Sequence, residues 1–173
     1  MLKNKDVDSG LRADLTVVKN NSKEILESLR DSIWTLHSTS ISSFDLVDKL
    51  KSHIKNRVLI PYSINDTLKN ESNFSSELAL AVYRSCQEVI NNINKHSKAS
   101  NVTVMFYNAP GKALCINITD NGVGISADDK EKENHYGLRN IRSQLEEVNA
   151  SLQISSDASG TTILIEIAQM HYS

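Results

Sequence analysis

The spacing of apolar residues predicts a long helix at the start of the chain. Between residues 11 and 36, apolar side chains recur in alternating steps of four and three, and serine interrupts them twice. The positions are Leu11, Leu15, Val18, Ser22, Ile25, Leu29, Ser32 and Leu36. A helix packed on its own domain can carry such a stripe, but a heptad repeat of this length favours a two-helix or dimeric bundle.

After a polar break at 40–43, the pattern becomes that of a mixed α/β domain. Helical spacing recurs near 44–54, 78–93 and 138–148, and strand-like runs occupy 57–64, 114–118, 151–155 and 162–168. Pro61 predicts an edge position for its strand, because proline cannot donate a hydrogen bond to a neighbouring strand. We expect the order helix, strand, helix, two strands, charged segment, helix and two strands.

Composition limits the function classes. The chain has 173 residues, 39% hydrophobic content and a formal charge of −2. It can therefore bury a core, and nothing in its charge indicates an electrostatic nucleic-acid binder. No apolar run approaches the roughly 20 residues that span a bilayer. Cys86 on a helical stripe and Cys115 in a strand-like run are interpreted as free packing thiols in a reducing compartment.

A carboxylate followed by two glycines is the first candidate for chemistry. Asp120 ends a strand-like run, and Gly122 and Gly124 follow at once. Glycine has no side chain and accepts positive φ, so the backbone here can approach a flat polar ligand. An ordinary turn also contains Asp-Asn-Gly, and the hexamer alone leaves both interpretations open.

A polar stripe on the helix at 78–93 is the second candidate. Arg84, Glu88, Asn92 and Lys95 fall within about 80° of one another at 100° per residue. Such a stripe is often only a solvated helix face. A carboxylate, an amide oxygen and an ammonium in line also suit Mg²⁺ with phosphate oxygens.

Two glycine-containing segments complete the set. Gly137 stands at the start of the helix at 138–148, where free backbone N–H groups can receive an anion, although glycine is also common in loops. The segment 159–162 lies between two strand-like runs and predicts a hairpin turn. The charged segment 125–135 is either a solvated loop or a mobile lid between these motifs.

Taken in order, these four segments resemble the N, G1, G2 and G3 boxes of the GHKL ATP-binding fold. The resemblance is to the catalytic domain of sensor histidine kinases paired with LuxR-type response regulators, and it covers roughly residues 75–168. It implies an α+β fold: a two-layer α/β sandwich of the GHKL (Bergerat) type with a mixed sheet and three main helices on one face, preceded by a long N-terminal dimerisation helix.

The resemblance also implies roles on the helix. Asn92 would be the Mg²⁺ ligand, and Glu88 would orient or deprotonate the attacking group or a metal-bound water. Lys95 and His96 would meet phosphates. Asn91, one position earlier, remains a rival ligand.

The remaining boxes would hold the nucleotide. Asp120 would accept a hydrogen bond from the exocyclic amine of adenine, and Gly122 with Gly124 would let the loop fold against base and sugar-phosphate. The other implied site residues are Gly137 and Leu138 at the hinge and backbone of the lid, and Gly160 and Thr161 on the far side of the adenine pocket.

Residues 24–36 resemble the second dimerisation helix of the same kinases. The implied domains are 1–40, a partial dimerisation and phosphotransfer region with the second helix only, and 41–173, the ATP-binding catalytic domain. In such kinases the phosphoacceptor histidine lies on the first helix, in a run that none of the five histidines matches. We expect a fragment that binds ATP without phosphorylating itself.

The expected ligands are ATP and Mg²⁺, and the γ-phosphoryl group is expected to reach a histidine on an upstream helix. The expected protein partners are that phosphoacceptor helix, a second copy in a homodimer and a response regulator with LuxR-type output, with no direct nucleic-acid binding. The expected location is the cytoplasm, and any membrane anchor would lie in upstream segments.

Other functions fit the same motifs. An anti-sigma-type serine kinase shares the ATP fold but normally lacks a heptad helix ahead of it, and an ATP-driven clamp would use Glu88 to activate water. Asn140 and Ser159 stand where glycines are frequent, which permits a dimeric interaction module with a degenerate nucleotide site.

Overall fold

A computed structural model describes residues 40–125 and 136–169 and seven residues of the preceding segment. Those seven are helical and exposed: Leu11, Asp14, Leu15, Val18, Ser22, Leu26 and Leu29. The chain divides into two compact units between Ser38 and Thr39. The rest of the predicted heptad and the segment 126–135 lie outside the described residues. The roles assigned to 1–40 and 41–173 therefore stay predictions.

The second unit is built on a five-stranded mixed sheet. Its helices are α1 (Ser43–Arg57), α2 (Ser76–Asn92) and α3 (Tyr136–Glu147), and its strands are β1 (Ser40–Ser42), β2 (Tyr62–Asp66), β3 (Asn73–Ser75), β4 (Val102–Ala109), β5 (Lys112–Asp120), β6 (Ala150–Asp157) and β7 (Gly160–Ala168). The sheet order is β2-β4-β5-β7-β6, with β2 parallel to β4 and the other pairs antiparallel. The predicted α/β fold with a mixed sheet is confirmed within the described ranges, whereas the long dimerisation helix ahead of it stays a prediction.

One face of the sheet forms the core. Paired residues on this face are apolar and buried, as in Val104 opposite Ile118 and Ile116 opposite Ile165. α2 lies between α1 and α3, and α3 also contacts β6. Both cysteines are free and buried, as predicted, and burial raises the pKa of Cys86 to about 12.

Two boundary predictions are wrong. The polar break at 40–43 contains strand β1, which pairs with β3, and the first residue of α1. It leads into a helix cap at Ser42, whose hydroxyl accepts a hydrogen bond from the Asp45 N–H at 3.1 Å. The predicted strand at 57–64 begins only at Tyr62, because α1 continues to Arg57. Pro61 precedes the edge strand β2, which agrees with the edge position that it predicts.

The end of α2 also departs from the predicted helix. From Ile93 to Ser97 the chain forms a π-helical turn, which ends at Lys98 with φ of 52°. The wider turn moves Lys95 out of the 100° register that places it on one stripe with Glu88 and Asn92. No helix within the described ranges is both long and apolar enough to cross a membrane.

Candidate functional site

The predicted site residues gather around a cavity of about 330 Å³ between the helices and the sheet. The end of α2, the π-helical turn, the end of β5, the turn that follows it, the start of α3 and β7 all contribute. Six predicted site residues line it: Asn92, His96, Asp120, Gly124, Leu138 and Thr161. The helix motif and the Asp120 motif therefore face one space.

A larger cavity, of about 830 Å³, lies at the β4–β5 turn and is lined by Lys69, Asn108 and Lys112 among others. Its described lining contains no carboxylate. The smaller cavity combines a buried acid, an amide and a glycine turn, which is the chemistry that a specific polar ligand needs. We therefore assign the candidate site to the smaller cavity.

Asp120 is the buried acid of the site. It ends β5, and the residue is only 5% exposed. Burial raises the pKa of Asp120, and hydrogen bonds from the backbone N–H groups of Gly122 and Thr161 oppose that rise. The bond from the Gly122 N–H to Oδ1 is 2.8 Å long. The acid is held in place by backbone donors while it lines the cavity.

The turn after Asp120 is enclosed on two sides. A Cβ atom at Gly122 would lie 2.1 Å from the Ser97 carbonyl oxygen, which accepts a hydrogen bond from the Val123 N–H at 2.8 Å. At Gly124, φ is +70° and a Cβ atom would lie 1.9 Å from the Asp157 carbonyl oxygen. Neither position has room for a side chain, so the turn packs by backbone contact.

Asn121 has a structural role that sequence reasoning missed. Its Oδ1 accepts hydrogen bonds from the N–H groups of Ser100 and Asn101, each at 2.9 Å. Its Nδ2 donates to the Ser100 hydroxyl at 2.9 Å. The side chain thus joins the turn to the loop before β4. The Asp-Asn-Gly run is a local signal for a turn, but it does not reveal this distant partner.

The hairpin between β6 and β7 closes the far side. A Cβ atom at Gly160 would lie 2.0 Å from the Asp120 carbonyl oxygen, so glycine allows β7 to approach β5 here. Thr161 lines the cavity, whereas Gly160 does not. The Ser159 N–H donates to Asp157 Oδ1 at 2.7 Å, and bonds from Ser159 hold the pKa of Asp157 below its usual range. The serine at this position therefore stabilises the hairpin tip and does not line the cavity.

The helix residues divide into those on the cavity and those beside it. Asn92 and His96 line the cavity, whereas Asn91 and Lys95 are exposed and do not. Glu88 lies against the start of α3. A Cβ atom at Gly137 would be 2.7 Å from Glu88 Oε1 and 3.8 Å from Asn92 Nδ2. Glu88 and Asn92 therefore approach the same point from one helix face.

Two polar residues of the cavity lining were not predicted as site residues. Ser97 and Lys98 reach the cavity because the π-helical turn and the left-handed backbone at Lys98 redirect the chain. The sequence signal is a basic cluster after the helix, but apolar periodicity cannot show which lysine faces the site. Asn140, the other departure from the expected glycines, is exposed on α3.

The chain matches proteins with the same type of fold. AdeS, a histidine kinase of Acinetobacter baumannii, aligns with a TM-score of 0.64 and 16% identity over 93% of this chain and 84% of that chain. The blue-light activated histidine kinase EL346 of Erythrobacter litoralis aligns with a TM-score of 0.63 and 19% identity over 95% of this chain and 60% of that chain. At these identities the alignments support the fold alone.

Sequence relatives cover the same region. The signal transduction histidine-protein kinase/phosphatase DegS of Brevibacillus brevis is 28% identical over 94% of this chain and 42% of its own length. The nitrate/nitrite sensor protein NarQ of Escherichia coli is 29% identical over 57% of this chain and 20% of its own length. The chain thus spans less than half of each of these relatives.

The family described as histidine kinase-, DNA gyrase B-, and HSP90-like ATPase matches residues 77–170, which is more than half of the chain. This match includes α2, the Asp120 turn, α3 and the β6–β7 hairpin. The chain therefore belongs to the family of histidine kinase-, DNA gyrase B- and HSP90-like ATPases.

Proposed function

We propose that this chain is the ATP-binding catalytic part of a two-component sensor histidine kinase, which moves the γ-phosphoryl group of ATP to a histidine nitrogen. The observation that carries the proposal is the single cavity lined by both Asn92 and Asp120. The family match supports ATP as the ligand, and the names of DegS and NarQ support a sensor kinase.

Asp120 would select the base. Its carboxylate is a hydrogen-bond acceptor, and adenine offers an amine where guanine offers a carbonyl. Gly122 and Gly124 let the turn pack against the backbone of Ser97 and Asp157, and from there the turn would lie against the base and sugar. Apolar lining from Val89, Ile93 and Ile163 would contact the ring faces.

Asn92 would bind Mg²⁺ at the other end. The residue types fit this ion, because Mg²⁺ takes oxygen ligands: Asn92 lines the cavity and has an amide oxygen, and Glu88 has a carboxylate one helical turn earlier. Phosphates and waters complete such sites. When bound, the ion supplies charge neutralisation on the phosphate oxygens. His96 and Lys98 line the cavity and would donate to phosphates, with Lys95 as an outer contact.

The protein's own contribution to transfer is positioning and proton removal. In the reaction an imidazole nitrogen bonds to the γ-phosphorus, and the bond from that phosphorus to the β,γ-bridging oxygen breaks. Glu88 would accept the N–H proton of the attacking imidazole, since its carboxylate lies one helical turn before Asn92. Gly137 and Leu138, at the start of α3, would form the hinge and the backbone of the lid.

The partners follow from this activity. The acceptor histidine would come from a phosphotransfer helix of the kinase, in a homodimer, and the phosphoryl group would pass to a response regulator of the LuxR-type output class. Because ATP is the phosphoryl donor, we place the domain in the cytoplasm.

Calorimetric titration with Mg-ATP tests the site. Asn92→Ala should abolish the dependence of binding on Mg²⁺, and Asp120→Ala should remove the preference for ATP over GTP. Asn91→Ala is the matched control, because its amide neighbours Asn92 but is exposed off the cavity. Wild-type binding by either site variant would contradict the assignment of that residue.

Labelling of the parent kinase with γ-labelled ATP tests the reaction. Phosphohistidine is labile to acid, whereas phosphoserine resists acid. Acid-labile label is expected. Acid-stable label would instead assign the chain to the serine kinases, and hydrolysis without label would assign it to ATP-driven clamps.

A further inference from the structure

The hydroxyl of Ser156 contacts the glycine turn and the first two residues of β7, beside the cavity. Ser156 is on β6, next to the hairpin, and its Oγ accepts a hydrogen bond from the Ile125 N–H at 2.8 Å. The same Oγ is 3.2 Å from the Gly160 carbonyl oxygen and 3.0 Å from Thr161 Oγ1. One side chain on β6 therefore links the glycine turn to the start of β7.

The hydrogen count at Ser156 fixes the direction of these bonds. A serine hydroxyl has one hydrogen to donate and two lone pairs. The Ile125 N–H can only donate and the Gly160 carbonyl can only accept. Only one assignment gives every contact a hydrogen: Ser156 donates to Gly160 and accepts from both Ile125 and Thr161.

The hydroxyl group of Thr161 is therefore oriented by its hydrogen bond to Ser156. Its hydroxyl hydrogen is used toward Ser156, so the oxygen retains only lone pairs for other partners. Thr161 lines the cavity beside Asp120, and both residues lie at paired positions of β5 and β7. This side of the cavity then presents acceptors from two side chains.

We propose that Ser156 is a positioning residue of the nucleotide site, which joins the glycine turn to the hairpin and keeps the Thr161 hydroxyl as an acceptor toward the cavity. Two acceptors, Asp120 and Thr161, can receive hydrogen bonds from the exocyclic amine of adenine. They would repel the oxygen of a base that has a carbonyl in place of this amine. The second half of this statement rests on the proposed function. The joining of turn and hairpin does not, because it is a property of the protein without nucleotide.

The first experiment measures amide hydrogen exchange in the chain without nucleotide. Ser156→Ala should speed exchange of the Ile125 N–H at least roughly threefold, since that amide loses its acceptor. Ser156→Thr keeps a hydroxyl and should restore slow exchange. The matched control is Ser155→Ala, because Ser155 is an exposed serine on the opposite face of the same strand.

The second experiment measures the dissociation constants of Mg-ATP and of Mg-inosine triphosphate. Inosine triphosphate carries a carbonyl where ATP carries the amine. Ser156→Ala frees the Thr161 hydroxyl to donate to that carbonyl. The dissociation constant of Mg-inosine triphosphate divided by that of Mg-ATP should therefore fall roughly three- to tenfold relative to wild type. Ser156→Thr and Ser155→Ala should keep the wild-type ratio.

The outcomes separate the two proposals. If wild type binds ATP but Ser156→Ala changes neither the Ile125 exchange nor the ratio, the role of Ser156 is overturned and the proposed function stands. If wild type binds no adenine nucleotide, the proposed function fails and the specificity role fails with it. Exchange at Ile125 then still decides whether Ser156 joins the turn to the hairpin. If Ser156→Ala does not fold, Ser156→Thr replaces it in both experiments. Faster Ile125 exchange than in wild type and a lower ratio of the inosine triphosphate to the ATP dissociation constant in Ser156→Thr would then overturn the proposal.

Discussion

Replacing Gly124 by alanine tests how closely the turn after β5 must pack. Gly124 has φ of +70°, and a Cβ atom would lie 1.9 Å from the Asp157 carbonyl oxygen. Reaching ordinary contact requires the turn or the hairpin to move by roughly 1.5 Å. That movement would break the 2.8 Å bond from the Ile125 N–H to Ser156.

Gly111 provides a matched control. It has nearly the same φ, +71°, but a Cβ atom there would meet nothing within 4 Å. Gly111→Ala should therefore report backbone strain alone, about 1–2 kcal/mol of unfolding free energy. Gly124→Ala adds the lost hydrogen bond, so its cost should be about 2–3 kcal/mol.

The two alanine variants should differ more in ligand binding than in stability. Urea unfolding gives the stability cost, and calorimetry with Mg-ATP gives the affinity. Gly111→Ala should bind as wild type, because its turn lies away from the site. Gly124→Ala should bind roughly tenfold or more weakly, because the turn is displaced. Equal affinity of the two variants would refute the proposal that this turn forms the wall of the nucleotide site.

Three further predictions concern charge, burial and the start of α3. Burial raises the pKa of Asp120 above the usual 3.8, so the folded protein binds this proton more tightly than the unfolded chain does. The unfolding free energy that this proton contributes is therefore lost as the pH rises from 3.8 through the folded pKa. The unfolding free energy of Asp120→Asn should therefore increase relative to that of wild type across this pH range, and Mg-ATP binding should weaken roughly 10- to 150-fold. A difference in urea unfolding that does not depend on pH would contradict this. The Ser85 hydroxyl is fully buried and finds no hydrogen-bond partner within the described residues. Ser85→Ala should thus raise the unfolding free energy measured in urea by about 1–2 kcal/mol, whereas the control Ser52→Ala, at an exposed position, should raise it by about 0.5 kcal/mol. A gain no larger than that of the control would contradict the prediction. Gly137→Ala should displace the Glu88 carboxylate, and so slow phosphoryl transfer roughly tenfold with little change in ATP affinity. An unchanged single-turnover rate would argue against Glu88 as the base.

The sequence predicts the sheet and the apolar helix faces well, because alternation and helical spacing are local records of burial. Val82, Cys86 and Val89 are all buried on α2, as their spacing indicates. The predicted hairpin at 159–162 is present, although only Ala158 and Ser159 lie in its loop. Its glycine and small polar residues are a local turn signal.

Contacts between distant segments are what the sequence does not reveal. The π-helical turn at 93–97 widens the helix without changing its composition, so periodicity extends α-helix through Lys95. The partners of Asn121 and the Ile125 partner of Ser156 are at least 20 residues away along the chain. The resemblance to known kinases, and not the spacing, indicates that Asn92 and Asp120 belong to one site.

The central claim is that Asn92 and Asp120 are the two ends of one ATP site. Amide chemical shifts, recorded while Mg-ATP is added to the chain, test it most directly, because the protein has a second and larger cavity for comparison. We predict the largest changes at Asn92, His96, Asp120–Ile125 and Thr161. Changes centred instead on Lys69, Asn108 and Lys112 would contradict the assignment.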